Sequence, residues 1–504
     1  MLRAVRNKSS IASSLRKQIK NVSLLQTNGL INGEWVAANS SFEVENPGLK
    51  SENDAHLAKV SCFSPSDYND AIVAADVAFK SFRKTTARER GELLQKMHDL
   101  MLENVDDLAK IITLENGKPL ADSVGEVKYA ASFFKWFSEQ APHVTGDIIE
   151  SSISNTKILA LRQPVGVCGI ITPWNFPAAM IARKLAAAVA VGCTTVIKPA
   201  SETPLTALAM GSLSQQAAFP NGVVNILPSQ KSSDAGKAIC EHKLVKKVTF
   251  TGSTNVGKIL MKQASSTLKK CSFELGGNAP FIVFSDASID KAVAGVLASK
   301  FRSSGQTCVC ANRIFVHESI YEEFSKALVS KLEKDTVLGY GIDKDTTHGP
   351  LIHDKSLLKV QEHIKDATEA GAKLLLGGKP REDLGPNYHE LTVLGDVNES
   401  MKIFHEETFG PVCPLIKFSS EEEVLRMAND TDVGLAGYFF TNDILRIFSI
   451  AGDLEVGMVG VNTGAISEAS LPFGGVKESG FGREGSKFGL EDYTVVKSVV
   501  LGGL

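Results

Sequence analysis

Between residues 165 and 268 short apolar runs alternate with longer stretches of helical periodicity, and few folds accept that pattern. Residues 165–171 read as a strand, 178–191 as a helix and 193–197 as a strand. A helix over 204–219 opened by Pro204, strands over 222–227 and 247–250, and a helix over 255–268 follow. Strands separated by helices lie parallel, their crossovers are right-handed, and the product is a doubly wound sheet. Ligands of such a sheet bind beyond the carboxyl ends of its strands. Those ends carry Thr172-Pro173-Trp174-Asn175-Phe176-Pro177, Lys198-Pro199-Ala200-Ser201 and Thr251-Gly252-Ser253-Thr254-Asn255-Val256-Gly257. All three fall on one edge of the sheet. Glycines and polar groups concentrate there, as a cofactor crevice requires.

Gly252 and Gly257 are spaced G-x-x-x-x-G, which is not the dinucleotide fingerprint. The pair does open a helix directly after a strand, where free N–H groups favour a phosphate. Lys258-Ile259 follows in place of the Lys-Ser/Thr of a P-loop, so an ATPase is not indicated. After Glu274-Leu275-Gly276-Gly277 a second α/β unit starts with a strand over 280–284. A helix over 289–301 runs toward Gly305, a strand over 313–317 follows, and a helix covers 321–332. Cys308 therefore falls on a short polar loop between helix and strand, where a reactive group can face a cleft. The alternative is a small buried apolar residue, the common state of cysteine in a chain that is 43% hydrophobic. Elsewhere 31–36 reads as a strand and turn, 66–114 and 121–140 as helical, and 371–378 as a surface turn. Residues 158–163 alternate like an exposed ribbon suited to subunit contact.

At 504 residues the chain exceeds one core, so two or three domains are expected. A net charge of −3 gives no ground for nucleic acid or a membrane surface as partner. The apolar run 185–191 is too short to span a bilayer. Eight cysteines are scattered without a Cys-x-x-Cys pair, so neither a metal site nor a disulfide framework is expected. The first residues differ from the rest. Arg3, Arg6, Lys8, Arg16, Lys17 and Lys20 stand among serines with no acidic residue, and Ile11, Leu15 and Ile19 share one helical face. That is the description of a mitochondrial transit peptide, expected over 1–24, with the matrix as location. A basic tail on a cytoplasmic enzyme is the alternative.

Taken together, Pro173-Trp174-Asn175-Phe176-Pro177, Lys198-Pro199-Ala200, Phe250-Thr251-Gly252-Ser253, Glu274-Leu275-Gly276-Gly277, Gly305-Gln306-Thr307-Cys308 and Glu407-Thr408-Phe409-Gly410-Pro411 resemble the aldehyde dehydrogenase superfamily. The resemblance runs from about Ile31 to the C-terminus. It implies a Rossmann-type cofactor domain (25–147 and 165–276), an α/β catalytic domain (277–477) and a β-strand oligomerisation arm (148–164 and 486–504) in a homotetramer or dimer. It assigns Cys308 as nucleophile, Asn175 with the Cys308 N–H as oxyanion holder, and Glu274 as the base for thioester hydrolysis. It further implies cofactor contacts from Thr172, Pro173, Trp174, Lys198, Gly252, Ser253, Gly257, Glu407 and Phe409. The chemistry agrees: a thiolate makes the tetrahedral adduct, fixed donors hold the oxyanion, and a carboxylate activates water.

Three residues beyond Lys198, where NAD-preferring relatives carry Glu, stands Ser201. A hydroxyl beside Lys198 removes repulsion against a 2′-phosphate, so NADP is the expected cofactor, together with NAD. Arg183 lies in a mostly apolar helix, where an arginine is costly without a partner, and Arg302 stands six residues before Cys308. With Ser467 they are suited to a carboxylate. That set, with Cys308-Val309-Cys310, is similar to the branch of the superfamily acting on succinate semialdehyde in 4-aminobutyrate breakdown. Glutarate semialdehyde, one methylene longer, is the competing substrate. In that branch the Cys308–Cys310 pair implies a reversible disulfide that blocks catalysis. Glu468 beside Ser467 is an acidic neighbour that would oppose a carboxylate if it faced the same tunnel.

Overall fold

A computed structural model describes residues 11–49 and 55–504. The expected alternation forms one eight-stranded sheet. Its parallel centre runs Val224–Ile226, Thr194–Lys198, Val167–Ile171, Val245–Thr251, Lys270–Glu274. Successive strands leave Val167–Ile171 in opposite directions, so the order reverses between it and Val245–Thr251. That reversal opens the crevice in which such sheets bind ligands. The hairpin Gly29–Ile31 with Glu34–Val36 adds one antiparallel edge, and Gly480–Phe481 adds the other. The second closure is invisible to local sequence because its strand comes from the far end of the chain.

The helix Ala179–Val191 is buried along its entire length, and its alanines let it lie close on the sheet. Gly192, at φ 95°, ends it in the left-handed conformation that glycine adopts without a Cβ clash. Ser64 and Asp67 form a capping box at the start of the helix Pro65–Phe82. A helix over Ser232–Glu241, which the sequence reading passed over, completes this unit.

The second sheet has seven strands in the order Lys373–Leu376, Thr392–Gly395, Val412–Phe418, Ala311–His317, Ala279–Val283, Ala436–Phe440, Met458–Val461. Only the Lys373–Leu376 pairing is antiparallel. That edge strand occupies the middle of the stretch read as a surface turn; Gly371 before it and Gly377 and Gly378 after it stand at positive φ. The expected helix over 289–301 is α-helical for Ile289–Val296, then widens into a π turn over Leu297–Phe301. Ser303, Ser304 and Gly305 then follow in three successive left-handed conformations.

A third sheet joins Asp147–Glu150, Thr156–Pro164 and Thr494–Gly502. Of the expected leader, Arg3, Arg6 and Lys8 lie outside the described residues. The rest is built into the fold. Leu15, Ile19 and Leu24 are buried, the helix Ser13–Gln18 carries Leu15 inward, and Asp107 accepts from the Lys20 and Asn21 N–H groups at 3.1 and 2.7 Å. A cleavage point at residue 24 conflicts with this packing, since removing 11–24 would uncover apolar core and unpair the buried Asp107. Among the described residues no helix is long and apolar enough to cross a membrane, and no cluster of metal-ligating side chains occurs.

Candidate functional site

Two cavities meet at Cys308. The smaller, about 210 Å³, lies at the sheet reversal and is lined by Pro173, Trp174, Gly252, Ser253, Glu407 and Phe409, with Asn175 and Cys308 at its floor. The larger, about 510 Å³, runs the other way from Cys308 and contains Arg183, Arg302 and Ser467. The first is bounded by the edge of the doubly wound sheet, the second by the π turn and the loop at 464–467.

The nucleophile loop is fixed from several sides. The Cys310 N–H donates to the Thr307 carbonyl at 3.1 Å, and the Tyr438 hydroxyl donates to the Val309 carbonyl at 2.8 Å. The Gln306 amide accepts from the Ile352 N–H at 3.0 Å. A side chain at Gly305 would meet the Gly410 carbonyl at 2.2 Å, so the turn tolerates glycine alone. Burial pushes the Cys308 thiol up to about 12, while Arg183 draws it down and Glu274 pushes it further up.

Asn175 sits beside it. Its Nδ2 donates to the Gln306 carbonyl at 3.3 Å, and its Oδ1 accepts from the Phe176 N–H at 3.1 Å. Two buried residues that sequence reasoning missed hold this strap. Glu126 accepts from the Ala178 and Ala179 N–H groups and pairs with Lys118 at 2.8 Å, and the Lys118 ammonium also donates to the Asn175 carbonyl. Lys and Glu lie eight apart across one helix start, and neither looks exceptional in sequence.

Glu274 ends the strand Lys270–Glu274, is buried, and has no hydrogen-bond partner at either oxygen among the described residues. Burial raises its pKa well above the usual range, and the Glu484 carboxylate raises it further. Glu484 is a third residue the sequence did not reveal. It lies 2.7 Å from Arg183 Nε and 2.6 Å from Lys184 Nζ, and that Lys184 ammonium also donates to Thr251 at 2.6 Å. The arginine and lysine in an apolar helix were the only signal that a counter-charge had to exist.

The two arginines are therefore unlike. Arg183 is neutralised in part by Glu484 and packs over Phe473 at 3.9 Å. Arg302 lies over the Phe176 ring at 5.2 Å, and among the described residues no carboxylate pairs with it. Both arginines line the larger cavity, as expected of a pair flanking one tunnel, but among the described residues only Arg183 carries a counter-charge. Glu468 is exposed, bonds to Ser470 and does not line the cavity, which removes the objection it raised.

At the cofactor edge, Phe409 stands edge-on to Trp174 at 5.6 Å, and the Gly277 N–H donates to Glu407 at 3.4 Å. Burial raises Glu407 to about 7. Lys198 donates to Ser232 at 2.8 Å and is lowered by burial to about 8, with Glu202 acting against that shift. Ser201 donates to Glu202 at 3.1 Å, so a carboxylate remains one residue along from the expected position. Gly257 does not line the cavity; a Cβ there would strike Leu275 at 2.6 Å, which makes it a packing glycine. A dinucleotide fits this edge on two observations. The buried Thr172 hydroxyl has no partner among the described residues, and the helix Thr254–Ala264 starts at Ser253 with no side-chain cap and no acidic first-turn residue.

Cys310 is buried, and its thiol donates to the Lys300 carbonyl at 3.4 Å, away from the cavity that Cys308 lines. Both cysteines are free thiols.

Residues 35–499 match the sequence pattern of the aldehyde dehydrogenase family. The chain is 52% identical over 483 residues to the succinate-semialdehyde dehydrogenase [NADP(+)] of Saccharomyces cerevisiae, covering 95% of this chain and 96% of that one. It is 49% identical over 483 residues to the mitochondrial succinate-semialdehyde dehydrogenase of Homo sapiens, covering 95% and 89%. A crystal structure of succinate-semialdehyde dehydrogenase from Burkholderia pseudomallei superposes with a TM-score of 0.94 at 47% identity, covering 96% of this chain and all of that one.

Proposed function

Because the chain belongs to the aldehyde dehydrogenase family, we propose that it oxidises succinate semialdehyde to succinate with NADP, and with NAD as a second cofactor. The observation that carries this reading is the meeting of the two cavities at Cys308, one edged by nucleotide-binding groups and the other holding Arg302, Arg183 and Ser467. The Cys308 thiolate attacks the aldehyde carbon to give a thiohemiacetal, whose oxyanion lies between the Asn175 amide and the Cys308 N–H. A nicotinamide held at the smaller cavity would supply the acceptor for the hydride whose loss turns the thiohemiacetal into a thioester. Glu274, taking a proton from water, then lets hydroxide attack the thioester at Cys308 and release the acid. Glu407, Phe409 and Trp174 would hold the nicotinamide end, and Lys198, Ser201 and Ser232 the 2′-phosphate.

The test compares succinate semialdehyde with butyraldehyde, which has the same chain length but no carboxylate, using each cofactor in turn. A preference of about a hundredfold for the semialdehyde is expected from an ionic clamp. Equal kcat/KM for the two aldehydes would reduce the arginines to structure, and a strong NAD preference would overturn the reading of Ser201.

Three finer readings accompany this one. The strand sheet 147–164 with 494–502 serves as an oligomerisation arm. The mitochondrial matrix is the location, with any cleavage falling before Ile11; N-terminal sequencing of the organellar protein tests it. Peroxide oxidises Cys308 and Cys310 to a disulfide, two protons and two electrons passing to the peroxide, after the loop turns the Cys310 thiol from Lys300 toward Cys308. Thiol-reversible inactivation that persists in Cys310→Ser would refute that switch.

A further inference from the structure

The wall of the larger cavity carries a polar atom that the fold does not use. Tyr129, on the helix Leu120–Gln140, lines the space shared by Arg183, Arg302, Ser467 and Cys308. Its hydroxyl is shut off from solvent and has no hydrogen-bond partner among the described residues. The ring is fixed, standing edge-on to Phe133 at 4.8 Å, and the same Phe133 lies 5.3 Å from the Arg183 guanidinium. The charges acting on the hydroxyl are those of Arg183, Cys308, Arg302 and Glu484, which puts it among the charged groups of the cavity. Arg183 Nη2 is likewise buried and has no hydrogen-bond partner among the described residues.

Two donors thus stand unsatisfied, among the described residues, on side chains that line the same cavity. A buried donor without an acceptor is a standing penalty, and the fold supplies none here. The ligand that completes such a wall is acceptor-only and has two oxygens, which describes a carboxylate.

We propose that the Tyr129 hydroxyl donates a hydrogen bond to the distal carboxylate of the semialdehyde, beside Arg183 Nη2. This deepens the activity proposed above and rests on it. The roles divide by charge: Arg302, unpaired, supplies attraction, while Tyr129 and the half-neutralised Arg183 supply direction. A neutral donor on a rigid ring fixes how far the carboxylate sits from Cys308, and so which chain length brings the aldehyde to the sulfur.

The experiment is Tyr129→Phe, which keeps the ring, its Phe133 contact and the cavity shape. Parent and variant are compared for kcat and KM with succinate semialdehyde and butyraldehyde, for competitive inhibition by succinate, and for melting temperature. The variant is expected to raise KM for the semialdehyde by about tenfold to a hundredfold, the range for a hydrogen bond to a charged group. Succinate inhibition should weaken in parallel, the semialdehyde-to-butyraldehyde ratio should fall by the same factor, and the melting temperature should hold. A Tyr129→Phe enzyme that keeps the parental ratio overturns the role of Tyr129 and leaves the activity standing. A parent enzyme without preference for the semialdehyde removes both.

Discussion

Cys308 is held as a neutral thiol by burial, which pushes it up to about 12, with Arg183 as the opposing influence. Because the pKa is raised, the thiolate fraction grows about tenfold with each pH unit below that value. Alkylation of the cofactor-free enzyme by iodoacetamide should therefore climb from pH 7 to 9 without a plateau, and Arg183→Met should slow it. A plateau below pH 8 would show that the thiol is already ionised in the resting site. Glu274 is the other half of the chemistry. Among the described residues its oxygens accept no hydrogen bond, and its raised pKa keeps the proton on it until substrate or cofactor changes its surroundings. Glu274→Gln leaves the attack by Cys308 intact and removes the base for hydrolysis. It should retain a rapid burst of reduced cofactor while steady turnover falls by about 10²- to 10⁴-fold. Loss of the burst together with turnover would place Glu274 in the first half-reaction instead.

The loop that aims Arg302 and Cys308 depends on backbone strain. Ser303 and Ser304 sit at φ 50° and 55°, a conformation costing about 1–3 kcal/mol for each non-glycine residue. The strain is balanced from outside the element: Asp122 accepts from the Ser303 N–H at 3.1 Å, and the Ser304 hydroxyl donates to the Gly349 carbonyl at 2.8 Å. Asp122→Ala should lower stability by about 1–2 kcal/mol, and raise KM for the semialdehyde as Arg302 loses its direction. Thermal unfolding and steady-state kinetics check the two effects, and an unchanged KM would mean that the turn holds without Asp122. This turn also marks the limit of what sequence discloses. The motifs around Asn175, Glu274 and Cys308 are contiguous, so they carried the resemblance that assigned those residues their roles. Asp122 meets Ser303 across 181 residues, and Glu484 reaches Arg183 from further along the chain still. Nothing local selects either partner. The π turn of Leu297–Phe301 was hidden for a related reason, since its apolar spacing reads as a continued α-helix.

At the scale of the whole molecule, apolar surface remains uncovered. Ile148 is 77% exposed, Val496 61% and Val500 65%, all on a three-stranded sheet with two open edges. On the helix Ile444–Asp453, Ile444 and Phe448 stand one turn apart and are 61% and 74% exposed. Open edges and apolar faces of this size are the marks of association. Val496 and Val500 share one face of the strand Thr494–Gly502, since strand side chains alternate with period two. Burying a valine contributes about 1.5 kcal/mol, and each copy of the chain brings both to a symmetric contact. The parent should therefore sediment as an oligomer, and the double substitution Val496→Lys with Val500→Lys should shift it toward smaller species at equal concentration. Because neither residue lines the cavities at Cys308, the variant should keep the parental KM while its melting temperature falls and loses the parent's dependence on protein concentration. A monomeric parent in sedimentation would leave the strand pair Thr156–Pro164 and Thr494–Gly502 as a free-standing ribbon and would overturn the assignment of an arm.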